Sequence, residues 1–203
     1  MSKVWFTSDT HFGSQRTLEL SRRPFKNVEE MDKALIENWN SIVNEKDIVY
    51  HIGDFGNYDI VKKLNGKIRL VAGNYECSDA NGDYEIMRRK LIDKGFNGVT
   101  FNRLNFVTED NVYYMLHHKP SDRNHLPEID WDCVRNDNEV FSLFGHIHKL
   151  QMVKRFGLNV GVDCHNFKPI DLETVKFYRN AILNHYDEDV FMHEQKDIHE
   201  LYL

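Results

Sequence analysis

The chain has 203 residues, 41% of them apolar and 29% charged, with four prolines. That length suits one domain with a real hydrophobic core, and the absence of low-complexity tracts or internal repeats excludes linkers and solenoids. A formal charge of −6 argues against a nucleic-acid binder that works through a broad basic surface, while a phosphate substrate stays open because bound metal supplies local positive charge.

Residues 3–8 (KVWFTS) form a short apolar, β-rich run that reads as a buried strand ending directly in Asp9-Thr10-His11-Phe12-Gly13. Residues 27–43 read as a helix, with Val28, Met31, Leu35, Trp39 and Ile42 on one face and Asn27 and Glu30 spaced as a capping box. A second strand at 47–52 stops at Gly53-Asp54, a short helix follows at 59–64, and a third strand at 67–72 stops at Gly73-Asn74. Residues 84–94 read as a helix. The pattern then turns β-rich, with strands expected at 104–108, 112–116, 140–144, 151–155 and 159–162, and a last helix at 172–183. The final twenty residues are acidic and contain histidines, and no element is assigned to them. The first half predicts parallel βαβ units and the second half antiparallel pairing. The expected fold is a single α/β domain over residues 1–203, two packed mixed sheets flanked by helices, with a core at 3–184 and a tail at 185–203.

Cys77, Cys133 and Cys164 are odd in number and form no C-x-x-C spacing, which predicts reduced thiols in a cytoplasmic protein. No apolar run nears the ~20 residues that span a bilayer. A polar Ser-Asp-Thr-His run follows the first apolar stretch at once, so no signal peptide is expected.

Eleven histidines is a high count for this length. Asp9 with His11, Asp54, Asn74, His118, and His146 with His148 each fall at the C-terminal end of a predicted strand, the edge where sites assemble in open α/β sheets. Taken singly, each has an ordinary reading. Asp-x-His is a common loop, and Gly-Asp and Gly-Asn are turn chemistry. His117-His118 fits one core histidine beside one solvated one. In Gly145-His146-Ile147-His148 the two imidazoles stand at i and i+2, on one side of an extended segment. The ordered set, delivered from five strand ends to one rim, points to a metal site.

These residues resemble the calcineurin-like metallophosphoesterases, whose pattern runs D-x-H, G-D, G-N-H-[D/E], a lone His, then G-H-x-H. Here it stands as Asp9-Thr10-His11, Gly53-Asp54, Gly73-Asn74-Tyr75-Glu76, His118 and Gly145-His146-Ile147-His148, over roughly residues 3–165. The run SDTHFG, RPF, NWN and VYHIGDF is similar to a small group of bacterial and phage members, implying a microbial or viral source. The resemblance implies two divalent metal ions sharing Asp54, with Asp9, His11 and His148 on one and Asn74, His118 and His146 on the other. Imidazole and oxygen ligands favour manganese, iron, zinc, cobalt or nickel over calcium or magnesium without choosing among them, and manganese is the expected ion. A hydroxide held by the cations would attack a phosphoester or nucleotide-type substrate.

The departure is Tyr75, where the family often carries a histidine that assists the leaving group. A tyrosine ordinarily titrates near ~10, so it donates hydrogen bonds but shuttles protons poorly at neutral pH. Asp54, Asn74, Tyr75 and Arg23 are the expected catalytic positions. Arg22 and Arg23 could contact phosphate or form a solvated basic pair before Pro24. His51 is expected to pack or to support a ligand, His117 to point away from His118 on an extended segment, His165 to lie near the rim with a supporting or substrate role open, and His125, His185, His193 and His199 to be surface residues. Competing readings are a nuclease on single-stranded nucleic acid, disfavoured by charge, and a metal-binding scaffold acting through protein partners. No extended nucleic-acid surface or membrane contact is expected, and the chain would act as a monomer or homodimer.

Overall fold

In a computed structural model the described residues are 2–109, 111–120 and 140–185. In chain order the elements are β1 (Val4–Thr7), α1 (Gln15–Leu20), α2 (Val28–Asn40), β2 (Ile48–His51), a 3₁₀ turn at Tyr58–Lys63, β3 (Lys67–Val71), α3 (Asn74–Ala80) and α4 (Tyr84–Lys94). They continue with β4 (Gly98–Thr100), β5 (Leu104–Val107), β6 (Tyr113–Leu116), β7 (Phe141–Phe144), β8 (Val153–Lys154), β9 (Gly157–Asn159), β10 (Ile170–Asp171) and α5 (Leu172–His185). Two short 3₁₀ turns lie at His148–Leu150 and Val162–Cys164.

These strands make two five-stranded sheets, ordered β10-β1-β2-β3-β4 and β5-β6-β7-β9-β8. In the first, β1 to β4 are parallel, with Val4 opposite Ile48 and Ile48 opposite Lys67, and β10 joins β1 antiparallel. Parallel pairing aligns the C-terminal ends of β1, β2 and β3 on one edge, and that alignment positions the site. Helix α2 starts where Asn27 accepts the Glu30 N–H at 2.8 Å, and it buries Met31, Leu35 and Trp39. Those side chains pack with Trp5, Val49, Ile68 and Leu70 on the outer face of the first sheet, together with Met87 and Leu91 of α4. The inner face contributes Phe6, Tyr50, Ile52 and Val71 to a second core shared with Tyr114, Leu116, Phe141 and Leu143 of the second sheet and Val175 and Ile182 of α5. No helix among the described residues is long and apolar enough to cross a membrane.

The second half departs from the antiparallel expectation. Among the described residues of the second sheet, β6, β7 and β9 are parallel, while β5–β6 and β8–β9 are antiparallel. The 117–140 connection is long enough for the crossover that parallel pairing needs. The strand expected at 159–162 instead ends at Asn159, whose side chain accepts the Gly161 N–H at 2.8 Å and turns the chain out of the ladder. The tail expected from residue 185, along with His125, Cys133, His193 and His199, lies outside the described residues apart from His185, which is exposed on α5.

Candidate metal centre

Beyond the last paired residues, the loops after β1 and β2 remain stitched together. The N–H groups of Asp9, His11 and Phe12 donate to the carbonyls of Gly53, Asp54 and Phe55 at 3.0, 3.1 and 2.9 Å. The second sheet meets them through Gly145, and the His146 N–H donates to both Asp9 carboxylate oxygens at 3.1 and 3.0 Å. Two glycines permit this approach. A Cβ on Gly53, which has φ +84°, would lie 2.6 Å from Gly73 Cα and from His118 Nδ1, and one on Gly145 would strike the Asp9 carboxylate. Asp9, His11, Asp54, His146 and His148 all adopt left-handed backbone, with φ between 48° and 70°. Such conformations cost about 1–3 kcal/mol each and cluster at functional sites.

The structure brings all seven candidate ligands to this rim. Asp9, His11 and His148 form one group and Asp54, His118 and His146 another, with the ligand atoms of each group within 4.8 Å of one another. Asn74 Oδ1 stands 3.0 Å from His118 Nε2 and 3.0 Å from His146 Nδ1. Asp54 Oδ2 lies between the groups, 3.7 Å from His11 Nε2 and 3.3 Å from His118 Nε2.

The supporting contacts orient the imidazoles. His118 Nδ1 donates to the Ile52 carbonyl at 2.8 Å, which turns Nε2 toward Asn74 and Asp54 in the site. His148 Nδ1 donates to Asp163 at 2.8 Å, so its Nε2 is likewise available. Ser8 donates to Asp9 Oδ2 at 2.6 Å. Glu76 is wholly buried and accepts the N–H groups of Asp54, Phe55 and Gly73, clamping the β2 and β3 loops. Asn159 holds the His148 carbonyl at 2.6 Å.

This donor set fits a cation. His11 is 2% exposed, yet among the described residues neither of its ring nitrogens has a hydrogen-bond partner, a costly state for a buried imidazole unless it binds something. Burial carries His11 down to about 3, so it presents a lone pair. Burial pushes the Asp9 carboxyl above its ordinary range. Burial opposes the charged forms of Asp54 and His118 too, but their mutual hydrogen bond and attraction prevail, lowering Asp54 and lifting His118 to about 9. Two buried carboxylates thus hold a proton on a neighbouring imidazole, where a metal ion would otherwise supply the positive charge.

Arg23 requires a correction. Its guanidinium is buried, and all five donors are taken: two by Asp163 at 2.9 and 2.8 Å, and the others by the Thr10 and Asp9 carbonyls and the Met31 sulfur. It neither faces a phosphate nor forms a solvated pair with Arg22; it fixes the β1 loop. Tyr75 packs edge-on against His11 with ring centroids 4.9 Å apart, and its N–H donates to Asp54 Oδ1 at 3.0 Å. His51 Nε2 bonds Thr10 at 3.0 Å while its buried Nδ1 has no partner among the described residues, His165 bonds the Asn159 carbonyl at 2.7 Å and His117 the Lys119 carbonyl at 3.0 Å, and none of the three joins either ligand group. Cys77 and Cys164 are free thiols.

Asp163 is the partner that sequence reasoning missed, signalled only by its place beside His165 near the rim. Burial raises its carboxyl, but hydrogen bonds from His148 and Arg23 bring it down to about 2 from an ordinary 3.8. A depressed carboxylate stabilises the fold above its unfolded pKa, and that stability is lost as pH falls through the folded value. The difference corresponds to about 2 kcal/mol. Asp163→Asn is therefore expected to lose at least that at pH 7 and to flatten the stability profile from pH 3.8 down to about 2 in urea melts. An unchanged acid limb would count against Asp163 as its source.

Residues 3–166 match the family profile described as the calcineurin-like phosphoesterase superfamily domain. The chain belongs to this superfamily. Phosphoester hydrolysis that depends on metal is the activity the superfamily implies, and the two His/Asp groups are where this calcineurin-like chain could hold metal. An uncharacterized protein of Methanocaldococcus jannaschii is 30% identical over 185 residues, covering 86% of this chain and 90% of its own. The Gene 66 protein of Mycobacterium phage L5 is 27% identical over 191 residues, covering 80% and 87%. A crystal structure of a protein of unknown function from Aquifex aeolicus superposes with TM-score 0.62 at 21% identity, over 88% of this chain and 100% of that one, and shares the fold.

Proposed function

We propose that the protein hydrolyses phosphodiesters or nucleotide-type phosphoesters with a pair of divalent transition-metal ions, manganese being the first to test. The observation that carries this reading is Asp54 Oδ2, set 3.7 Å from His11 Nε2 and 3.3 Å from His118 Nε2, where one carboxylate oxygen can serve both ligand groups. Asp9, His11 and His148 would complete one ion, and Asn74, His118 and His146 the other. When bound, the pair would supply positive charge against the phosphoryl oxygens and a lowered pKa for the attacking water.

The chain's own residues set the rest. Asp163 and the Ile52 carbonyl hold His148 and His118 in the ring orientation that ligation needs. Tyr75 occupies the position beside Asn74 where imidazole would serve a leaving group. A phenol can donate a hydrogen bond there, whereas general acid catalysis by an imidazole is typically worth ~10²–10⁴-fold. Manganese-loaded protein is expected to turn over aryl phosphate esters roughly 10²-fold or more faster than alkyl esters of equal charge. Metal analysis with a paired aryl and alkyl screen checks this. Equal rates would reject the leaving-group argument, and purified protein that neither binds metal nor cleaves either ester would reject the function.

A further inference from the structure

We propose that Arg16, together with the Tyr75 hydroxyl, forms a subsite for a non-bridging phosphoryl oxygen of the substrate; the proposal rests on the phosphoesterase reading above. Helix α1 is placed by two anchors. Ser14 accepts the Thr17 N–H at 3.1 Å at its start, and Ser21 at its end lies 3.1 Å from His148 Nδ1. Thr17 and Leu18 face inward, which turns Arg16 outward at the rim. From there Arg16 Nη1 reaches the Tyr75 hydroxyl at 3.4 Å. Tyr75 is itself fixed at the ligand cluster by its N–H on Asp54 and its ring against His11.

Among the described residues Arg16 forms no ion pair with a carboxylate, its guanidinium meets the Tyr75 hydroxyl, and the nearby Glu19 accepts from Gln15 at 2.7 Å. Arg23, the other arginine of this loop region, has no donor to spare. A contact of 3.4 Å is long for a hydrogen bond and easily exchanged. By donating to the phenol oxygen, the guanidinium leaves the tyrosine O–H free to point onward and polarises it as a donor. A forked cation and a hydroxyl side by side match the oxygens of a phosphoryl group.

The test uses inorganic phosphate as probe, with calorimetry on manganese-loaded wild-type protein, Arg16→Ala, Arg16→Lys and Tyr75→Phe, and Lys33→Ala, an exposed cation on α2, as control. Arg16→Ala is expected to weaken phosphate binding about 10–100-fold at unchanged metal content and melting temperature. Lysine should recover only part of the loss, because it lacks the fork. Added guanidinium ion should partly restore binding to Arg16→Ala, which a purely structural role would not allow. Tyr75→Phe combined with Arg16→Ala should fall short of the sum of the single losses. Unchanged phosphate affinity in Arg16→Ala, or no phosphate binding by the wild type, overturns the subsite. If binding falls in Arg16→Ala while the wild type cleaves no ester, the subsite stands and the phosphoesterase reading fails. If the wild type cleaves esters and Arg16→Ala matches it in both binding and kcat/KM, the subsite alone fails.

Discussion

Asp54→Asn is expected to lower turnover of an aryl phosphodiester on the order of 10³-fold or more, because losing the oxygen that faces both ligand groups removes several kcal/mol of charge stabilisation. The substitution keeps the shape of the side chain and leaves Oδ1 to accept the Tyr75 N–H at 3.0 Å, so the fold should survive it. It also removes the counter-charge that, with Asp9, lifts His118 to about 9, and His118 should return toward ordinary imidazole behaviour. Metal content by elemental analysis and kcat/KM at saturating manganese check the prediction together. A variant that holds two metal equivalents and retains wild-type turnover would reject Asp54 as the shared ligand.

The second large effect is on stability. Glu76 is wholly buried, and its two oxygens accept N–H groups from Asp54 at 2.9 Å, Phe55 at 2.9 Å and Gly73 at 2.7 Å. Glu76→Ala would orphan all three donors in a closed site, each at about 1–3 kcal/mol. Burial disfavours the Glu76 charge and offsets part of that loss, since it pushes the carboxyl above its ordinary range. A net loss of about 4 kcal/mol corresponds to a fall in Tm of roughly 8–16 °C for a chain of this size. Glu76→Gln keeps one accepting oxygen and should lose less stability, while the displaced β2 loop weakens metal binding about 10–100-fold. Calorimetric melting of the metal-free proteins separates the two effects. An alanine variant melting with the wild type would show that water satisfies those donors.

The strands that carry the ligands were legible because most of them are buried on both faces, and a doubly buried strand reads as a short apolar run. Each such run ended in Asp, Asn or His, so the rim could be drawn before the sheets were known. Helices α1 and α3 were not legible. Each is six or seven residues long, and Ser14 before α1 and Gly73-Asn74 at the start of α3 use the same residue types as a simple turn. Strand direction in the second sheet was hidden as well, since apolar patterning reports burial rather than the orientation of a neighbour. The role of Arg23 is hidden for a different reason: its partner Asp163 lies 140 residues away, and the local run Arg22-Arg23-Pro24 holds no trace of it. Glu76 was visible as part of a motif, but its task became plain only when three backbone N–H groups from two loops converged on it.

The ligand groups draw on both sheets, with Asp9, Asp54 and Asn74 following strands of the first and His118, His146 and His148 following strands of the second. This split bears on how the protein matures. A ribosome releasing this chain from its N-terminus would deliver four of the seven side chains early, yet neither group has its full set of imidazoles until the segment after β7 has emerged. Closing such distant contacts carries a large loop entropy that must be met before they reward the chain. A metal ion that needs either full ligand group would therefore be captured late, by a nearly finished protein, rather than seeding the first sheet.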